Sequence, residues 1–186
     1  KADPDKADDD GTTPMYMAAQ EGHADAIQLL LGAKADPDKG KNNGVTPMYM
    51  AAQRGHADAI QLLLGAKADP EKGKNNGTTP VFIAAQRGHA DAIQLLLGAK
   101  ADVALCMQPN GWSPLFVAAG AGHCHVVQLL MTCAPGLQTI CTLAPHEFWG
   151  RTIAAGASPL AVAELLKRAD VVALLSTHKE ETEEVN

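Results

Sequence analysis

The chain is poor in aromatic side chains, which make up 4% of its 186 residues. Two Trp, two Tyr and three Phe cannot form a large aromatic nucleus, so the core must come from the abundant Ala and Leu. No apolar run reaches the roughly 18 residues that a membrane-spanning helix needs, and the chain opens on KADPDK instead of a signal peptide. These absences predict a soluble protein with no membrane partner.

A basic field that could attract nucleic acid is also missing. The formal net charge of -6 comes from the two ends. Residues 1–10 hold five Asp and two Lys, and residues 178–186 hold four Glu and one Lys. The body between them is neutral, with 12 basic and 12 acidic residues. We therefore expect neither nucleic acid nor an anionic lipid surface as a partner.

The four cysteines lack CxxC spacing and the density of a secreted disulfide scaffold, which predicts reduced thiols and a cytoplasmic, reducing compartment. The one cluster of zinc-ligand types comprises His123, Cys124, His125, Cys133, Cys141 and His146. Cys124 and His125 are adjacent on a predicted helix, so their side chains diverge by about 100 degrees. We interpret the cysteines as small buried hydrophobic residues, and predict no metal, no cofactor and no catalytic residue.

What the chain has in excess is repetition. Residues 22–54 return at residues 55–87 with five substitutions, a period of 33 residues. A unit this short cannot bury a core alone, so neighbouring units must cover each other's apolar faces in a continuous stack. We predict one domain over residues 1–186, divided into repeats 1–10 (partial), 11–43, 44–76, 77–110, 111–157 (with an insertion at 134–157) and 158–186 (a C-terminal cap).

Each unit predicts two antiparallel helices. In the second unit, Thr46 can cap the first helix through its side-chain oxygen, and Pro47 suits the first turn. Gly55 can end that helix in the left-handed conformation. A second helix follows, in which Ile60, Leu62 and Leu63 form an apolar stripe. The histidines after each glycine lie in separate units and cannot converge on one ion, so we interpret them as structural: His23, His56, His89 and His123.

The pattern Thr-Pro-x-x-x-Ala-Ala, then Gly-His, Leu-Leu-Leu and Ala-Asp at a 33-residue period, resembles the ankyrin repeat. The resemblance covers nearly all of residues 1–133 and, more weakly, 156–176. It implies an all-α ankyrin-repeat solenoid of helix-turn-helix units with projecting β-turns. It also implies a non-catalytic module that binds another protein or a peptide segment, and we expect a monomer. Lys34, Lys67 and Lys100 depart from the pattern, because the family has Gly there and the backbone normally needs a positive φ. Either Lys adopts that conformation or the helix ends differently.

The resemblance also implies where a partner binds, namely on the concave side, at the turn tips and at the exposed ends of the first helices. Transferred by position, the partner-binding residues are Asn42, Asn43, Asn75 and Asn76 at the tips, and Gln53, Arg54, Gln86 and Arg87 before the glycines, with Gln20 and Glu21 at the matching place in the first unit. The alternative is that near-identical copies simply repeat a solvated surface.

Two aromatic features leave two interpretations open. Trp112 occupies the turn-tip position of the fourth unit, where an exposed ring would be a binding anchor. Packing against the neighbouring turn is the alternative. The insertion at 134–157 carries Phe148 and Trp149. It is either a functional loop or a segment whose aromatic rings cover the apolar edge of the last unit.

Two functional hypotheses compete with partner binding in the groove. One is an enzyme that uses the cluster of Cys and His around Cys124. The other is a structural spacer or targeting arm of a larger protein, formed by the near-identical repeats; KADPDKADDDG at 1–11 lines up with KADPDKGKNNG at 34–44 and predicts a preceding unit. Fresh expansion of such repeats also occurs in bacterial proteins delivered into host cells, so a host-directed effector acting in the host cytoplasm is a variant of this hypothesis.

Overall fold

The computed structural model describes residues 2–105, 107, 110–134, 146–148 and 151–184. This part of the chain contains ten helices in five successive pairs and one short hairpin, which confirms the predicted all-α repeat solenoid. The helices are α1 (Pro14–Glu21), α2 (Ala24–Gly32), α3 (Pro47–Arg54), α4 (Ala57–Gly65), α5 (Pro80–Arg87), α6 (Ala90–Gly98), α7 (Pro114–Ala121), α8 (Cys124–Cys133), α9 (Pro159–Leu165) and α10 (Ala169–Glu184).

Each odd-numbered helix begins with the same side-chain cap. The Oγ1 of Thr46 accepts a hydrogen bond from the backbone N–H of Tyr49 at 3.1 Å, and Pro47 occupies the first turn. Such a cap contributes about 1 kcal/mol to helix stability. The prediction for Thr46 is confirmed, and the equivalent caps are Thr13, Thr79, Ser113 and Ser158.

The first four odd helices also end alike. Gly55 follows α3 with a φ of 75°, a left-handed conformation that costs glycine little. Its N–H donates to the carbonyl of Ala51, as expected of a left-handed cap. The ring of His89 approaches Gly55 so closely that a Cβ there would lie 2.6 Å from Nδ1. Both the backbone and the space therefore require glycine at this position.

The helices form two rows. Odd helices contact the next odd helix from α1 to α9, and even helices contact the next even helix from α2 to α10. Ala51 and Ala52 are buried in the odd row, where their small size permits close approach. In the even row Ile60 and Leu63 are buried as predicted, whereas Leu62 is only half-buried.

Lysine does adopt positive φ where the even helices end. Lys67 has a φ of 65°, and its N–H donates to the carbonyl of Leu64 at 2.9 Å. The first of the two alternatives for these lysines is therefore correct. The same conformation recurs at Lys34, Lys100 and Lys167.

Carboxylates link the turns between successive units. The Oδ1 of Asp38 accepts the backbone N–H of Asp69 at 3.0 Å, and Glu71 accepts the N–H of Asp102 in the same way. Burial raises the pKa of Asp38 and of Glu71, because both carboxylates lose part of their water on stacking. The link between the first two turns is made by Asp5 and Asp36.

The face of the first unit that points away from the stack is apolar and open. Met17 in α1 is 45% exposed, whereas its equivalent Met50 in α3 is 6% exposed. Leu29 in α2 is 77% exposed, although α2 and α4 have the identical sequence ADAIQLLLG. Position in the stack, and not local sequence, therefore determines the burial of these side chains.

The insertion between α8 and α9 contains an antiparallel hairpin. Strand β1 (His146–Phe148) pairs with β2 (Arg151–Ile153), and Ile153 is buried in the core. Trp149 and the side chain of Phe148 lie outside the described residues, so whether they cover the last unit stays a prediction.

Candidate partner-binding groove

The last residues of the odd helices form a row, which we call the helix-end row. It consists of Gln20 and Glu21, Gln53 and Arg54, Gln86 and Arg87, and Gly120 and Ala121. Because consecutive odd helices contact each other, these ends lie side by side. The guanidinium-bearing residues Arg54 and Arg87 are exposed, whereas Gln53 and Gln86 are half-buried.

Histidine side chains hold the helix-end row together through hydrogen bonds between successive units. The Nε2 of His89 lies 3.1 Å from the backbone carbonyl oxygen of Gln53, in the preceding unit. A carbonyl oxygen only accepts, so Nε2 carries the proton and donates. His56 and His123 make the same bond to Gln20 and Gln86. This agrees with the structural role predicted for the histidines, and it holds each helix end against the next.

One cleft brings together three of the predicted binding residues. Gln53, Arg54, Arg87 and His89 line a polar cleft of about 350 Å³ between the second and third units. The neighbouring Tyr49 is buried, which raises its pKa to about 12 even though the positive charge of Arg87 acts in the opposite direction. The cleft therefore presents two cations, and the phenol of the nearby Tyr49 does not offset their charge.

Neither cation of the cleft is neutralised by a residue that the structure describes. Among the described residues, one pair of opposite charges lies within 4.0 Å, and it joins Lys41 to Asp10. No hydrogen bond or ion pair involves the guanidinium of Arg54 or Arg87 there. Both groups remain available to an external acceptor.

The asparagines of the turn tips have a different use. The side-chain amide of Asn42 donates to the carbonyl of Asp9 at 3.0 Å, and its backbone N–H donates to the carbonyl of Asp10 at 3.1 Å. Asn75 repeats both bonds one unit later, with the carbonyls of Asn42 and Asn43. These two residues therefore hold neighbouring turns together.

Asn43 and Asn76 stabilise their own turns. The Oδ1 of Asn43 accepts the N–H of Val45 at 3.1 Å, and the Oδ1 of Asn76 accepts the N–H and the hydroxyl of Thr78. All four asparagines are exposed, and each uses one side-chain polar atom in a bond that holds a turn. Their placement supports the interpretation of a repeated structural feature more than a binding role.

Trp112 does not stand at an exposed tip. It is 9% exposed and stacks on Phe116 of α7, with the ring centroids 6.0 Å apart and the planes 20° from parallel. The expectation of an exposed ring therefore does not hold, because the side chain turns inward onto its own unit. The ring packs on Phe116, and its packing against the neighbouring turn, which the second interpretation named, stays a prediction.

The cluster of Cys and His in the fourth unit is only partly described. Cys124 is half-buried and Cys133 is exposed, whereas Cys106, Cys141 and the side chain of His146 lie outside the described residues. In the described ranges, no three His, Cys, Asp or Glu side chains lie close enough together to hold a metal ion. Those ranges also contain no helix with the length and hydropathy needed to cross a membrane.

One residue that contributes to this row escaped the sequence analysis. The Nε of Arg168, at the start of the last helix, donates to the carbonyl of Gly120 at 3.0 Å. Arg168 thus takes the place that His123 has one unit earlier, and it packs its Cδ against Gly122. Aligning Ser158-Pro159 with Thr46-Pro47 puts Arg168 in register with His56, so the signal was present in the spacing.

Together the paired helices, their capping pattern and the helix-end row define a helical-repeat protein that displays a polar surface across its units. The model for ankyrin repeats (3 copies) matches residues 1–74 and 65–142. The chain belongs to the ankyrin-repeat family, whose members are generally protein–protein interaction modules. No curated protein sequence matches the chain closely enough to count as a relative.

Proposed function

We propose that this protein is a non-catalytic module that binds a segment of another protein along the helix-end row and the adjoining turn tips. The observation that carries the proposal is the cleft of Gln53, Arg54, Arg87 and His89. It joins two neighbouring units, it is polar, and its two cations have no partner among the described residues. The described lining of the cleft does not include a buried cluster of ionisable side chains, which is the arrangement that enzymes use to shift pKa values.

The fold would serve binding through rigidity. The backbone of the helix-end row is held by the side-chain caps at one end of each odd helix and by the histidine bonds at the other. A surface that is already ordered loses little backbone entropy when a partner binds, so more of the interaction energy appears as affinity. The partner contacts would come mainly from Gln53, Arg54 and Arg87, with Gln86 beside them.

The asparagines and Trp112 take a smaller part in this proposal. Asn42, Asn43, Asn75 and Asn76 would border the groove while holding the turns, and Trp112 would stabilise the fourth unit from inside. We further propose a monomer in a reducing compartment such as the cytoplasm, which the free thiols of Cys124 and Cys133 support.

A peptide selection tests the binding surface. Peptides that bind the intact chain are selected from a random 12-residue display library, and their affinities are measured by fluorescence anisotropy. We expect the double variant Arg54→Glu, Arg87→Glu to weaken the selected peptides at least about tenfold. The double variant Lys67→Glu, Lys100→Glu changes the net charge equally at exposed sites outside the row, and should leave affinity unchanged.

The outcome separates the groove from the spacer hypothesis. Peptides that bind both double variants equally well would contradict the proposed surface. A library that yields no binder to the folded chain would contradict partner binding and would favour the structural spacer. Circular dichroism of each variant shows that the helices are intact before affinities are compared.

A further inference from the structure

The charges along the helix-end row are arranged in order, which restricts the chemistry of the partner. From the first unit to the fourth, the last residues of the odd helices are Glu21, Arg54, Arg87 and Ala121. The cations thus occupy the two middle units, with an acid on one side and no charge on the other. The turn tips follow the same order, since the tip that precedes the first unit carries Asp9 and Asp10 where the next two tips carry asparagines.

The charges of Arg54 and Arg87, which line the cleft, are not engaged by described residues, unlike the charge of Lys41 beside the turn tips. Lys41 lies 4.0 Å from the carboxylate of Asp10 and 5.4 Å from the ring centre of Tyr16, so its charge is engaged within the protein. The two arginines have no such partner in the described ranges. A guanidinium presents a planar set of donors that matches a carboxylate through two parallel hydrogen bonds.

We propose that the groove takes an acidic peptide segment, with carboxylates bound by Arg54 and Arg87. This inference rests on the proposed function and names the partner chemistry for the same site. The half-buried Gln53 lines the same cleft as the two arginines, where its amide can bond the backbone of the peptide. Burial of the two cations without a counter-charge would oppose binding of a neutral or basic segment.

The geometry also sets the spacing of the acids. Neighbouring packed helices have axes about 8–10 Å apart, and α3 contacts α5 directly. A peptide in the polyproline II conformation advances about 3.1 Å per residue and completes one turn every three residues, so side chains three positions apart lie on the same side. Carboxylates three positions apart therefore meet Arg54 and Arg87 in turn. One further step of the same length places a basic side chain of the peptide near Glu21.

The composition of the selected peptides tests this inference separately from the binding surface. Peptides that bind the intact chain should contain Asp and Glu at least about twice as often as the input library, with a preference for two acids three positions apart. A selection repeated on Arg54→Glu, Arg87→Glu should instead enrich Lys and Arg. Raising NaCl from about 50 to 500 mM should weaken the acidic peptides at least tenfold, because salt screens exposed charges.

Conservative variants complete the test. Arg54→Lys, Arg87→Lys should keep the preference for acidic peptides but lose part of the affinity, because Lys supplies the charge without the two parallel hydrogen bonds; Arg54→Gln, Arg87→Gln should lose the preference as well. Groove-dependent peptides with no excess of acids would overturn this inference and leave the proposed function standing. Peptides whose affinity is the same for the intact chain and for every double variant at Arg54 and Arg87 would overturn both this inference and the proposed function.

Discussion

A lysine in the left-handed region closes each of the first three even helices, at the position where the family pattern has glycine. Lys67 has a φ of 65°. In this conformation the backbone N–H groups of Lys67 and Ala68 both donate hydrogen bonds to carbonyls of α4, which ends the helix. A residue with a Cβ pays about 1–2 kcal/mol for that conformation. Among the described residues, the exposed side chain of Lys67 makes no hydrogen bond or ion pair that would offset this strain.

Lys67→Gly should therefore stabilise the protein. Relief of the left-handed strain outweighs the extra freedom of glycine in the unfolded chain, so we expect a gain of about 0.5–1 kcal/mol in the free energy of unfolding. Urea titration followed by circular dichroism measures it. Lys72→Gly is the matched control, because Lys72 has no positive φ, and it should lose about 0.5–1 kcal/mol. A loss in both variants would contradict the strain assigned to Lys67.

At this scale the sequence predicts what depends on near neighbours in the chain. The cap at Thr46 and the left-handed Gly55 follow from residues three or four positions away, and both are found. The orientation of Trp112 does not follow, because it depends on how the ring meets Phe116 within a turn whose path the repeats leave variable. Exposure of a single large side chain is set by its surroundings, which local sequence does not contain.

At the scale of elements, histidine joins the second, third and fourth helix pairs each to the pair before it. His56 bonds the carbonyl of Gln20, thirty-six residues earlier in the chain. His23 has the same local sequence but is exposed, and in the described part of the chain no preceding helix pair meets it. The two residues are therefore a natural comparison of one side chain with and without its inter-unit bond.

We expect His56→Ala to destabilise the protein by about 1–2 kcal/mol, since it removes a hydrogen bond and leaves the carbonyl of Gln20 without its donor. His23→Ala should change the free energy of unfolding by less than about 0.5 kcal/mol, as surface substitutions do. Both values come from urea titration at pH 7. Equal effects in the two variants would show that the histidine acts within its own unit and not between units.

At the scale of the whole molecule, the 33-residue period predicted the stack because burial of each unit by its neighbours is the way such short units become stable. The site was predicted in part. Residue type and position located Arg54 and Arg87, but only the structure shows that Gln53 joins them in one cleft while Asn42 and Asn75 tie turns together. Whether a polar side chain is available to a partner or holds neighbouring units together depends on interatomic distances, which the repeat pattern does not specify.

Identical helices should differ in stability according to their place in the stack. The amides of α2 and α4 have the same local sequence, but α4 has a neighbour on each side. Native-state hydrogen exchange should therefore show protection factors for α4 at least about tenfold above those for α2. Mass spectrometry of peptic fragments or NMR measures this difference. Equal protection would mean that the stack unfolds as one unit and that the open face costs nothing.

The histidine bonds between the first and second units recur between the second and third, and the asparagine bonds and carboxylate links between the partial and first units recur between the first and second. If one 33-residue copy were gained or lost in the gene, the same bonds would therefore still form between each unit and the next. Each added copy of the third unit would lengthen the display of cations by one arginine, about 8–10 Å further along. Copy number could then tune the reach and the avidity of the protein for longer acidic tracts without any change of sequence within a unit.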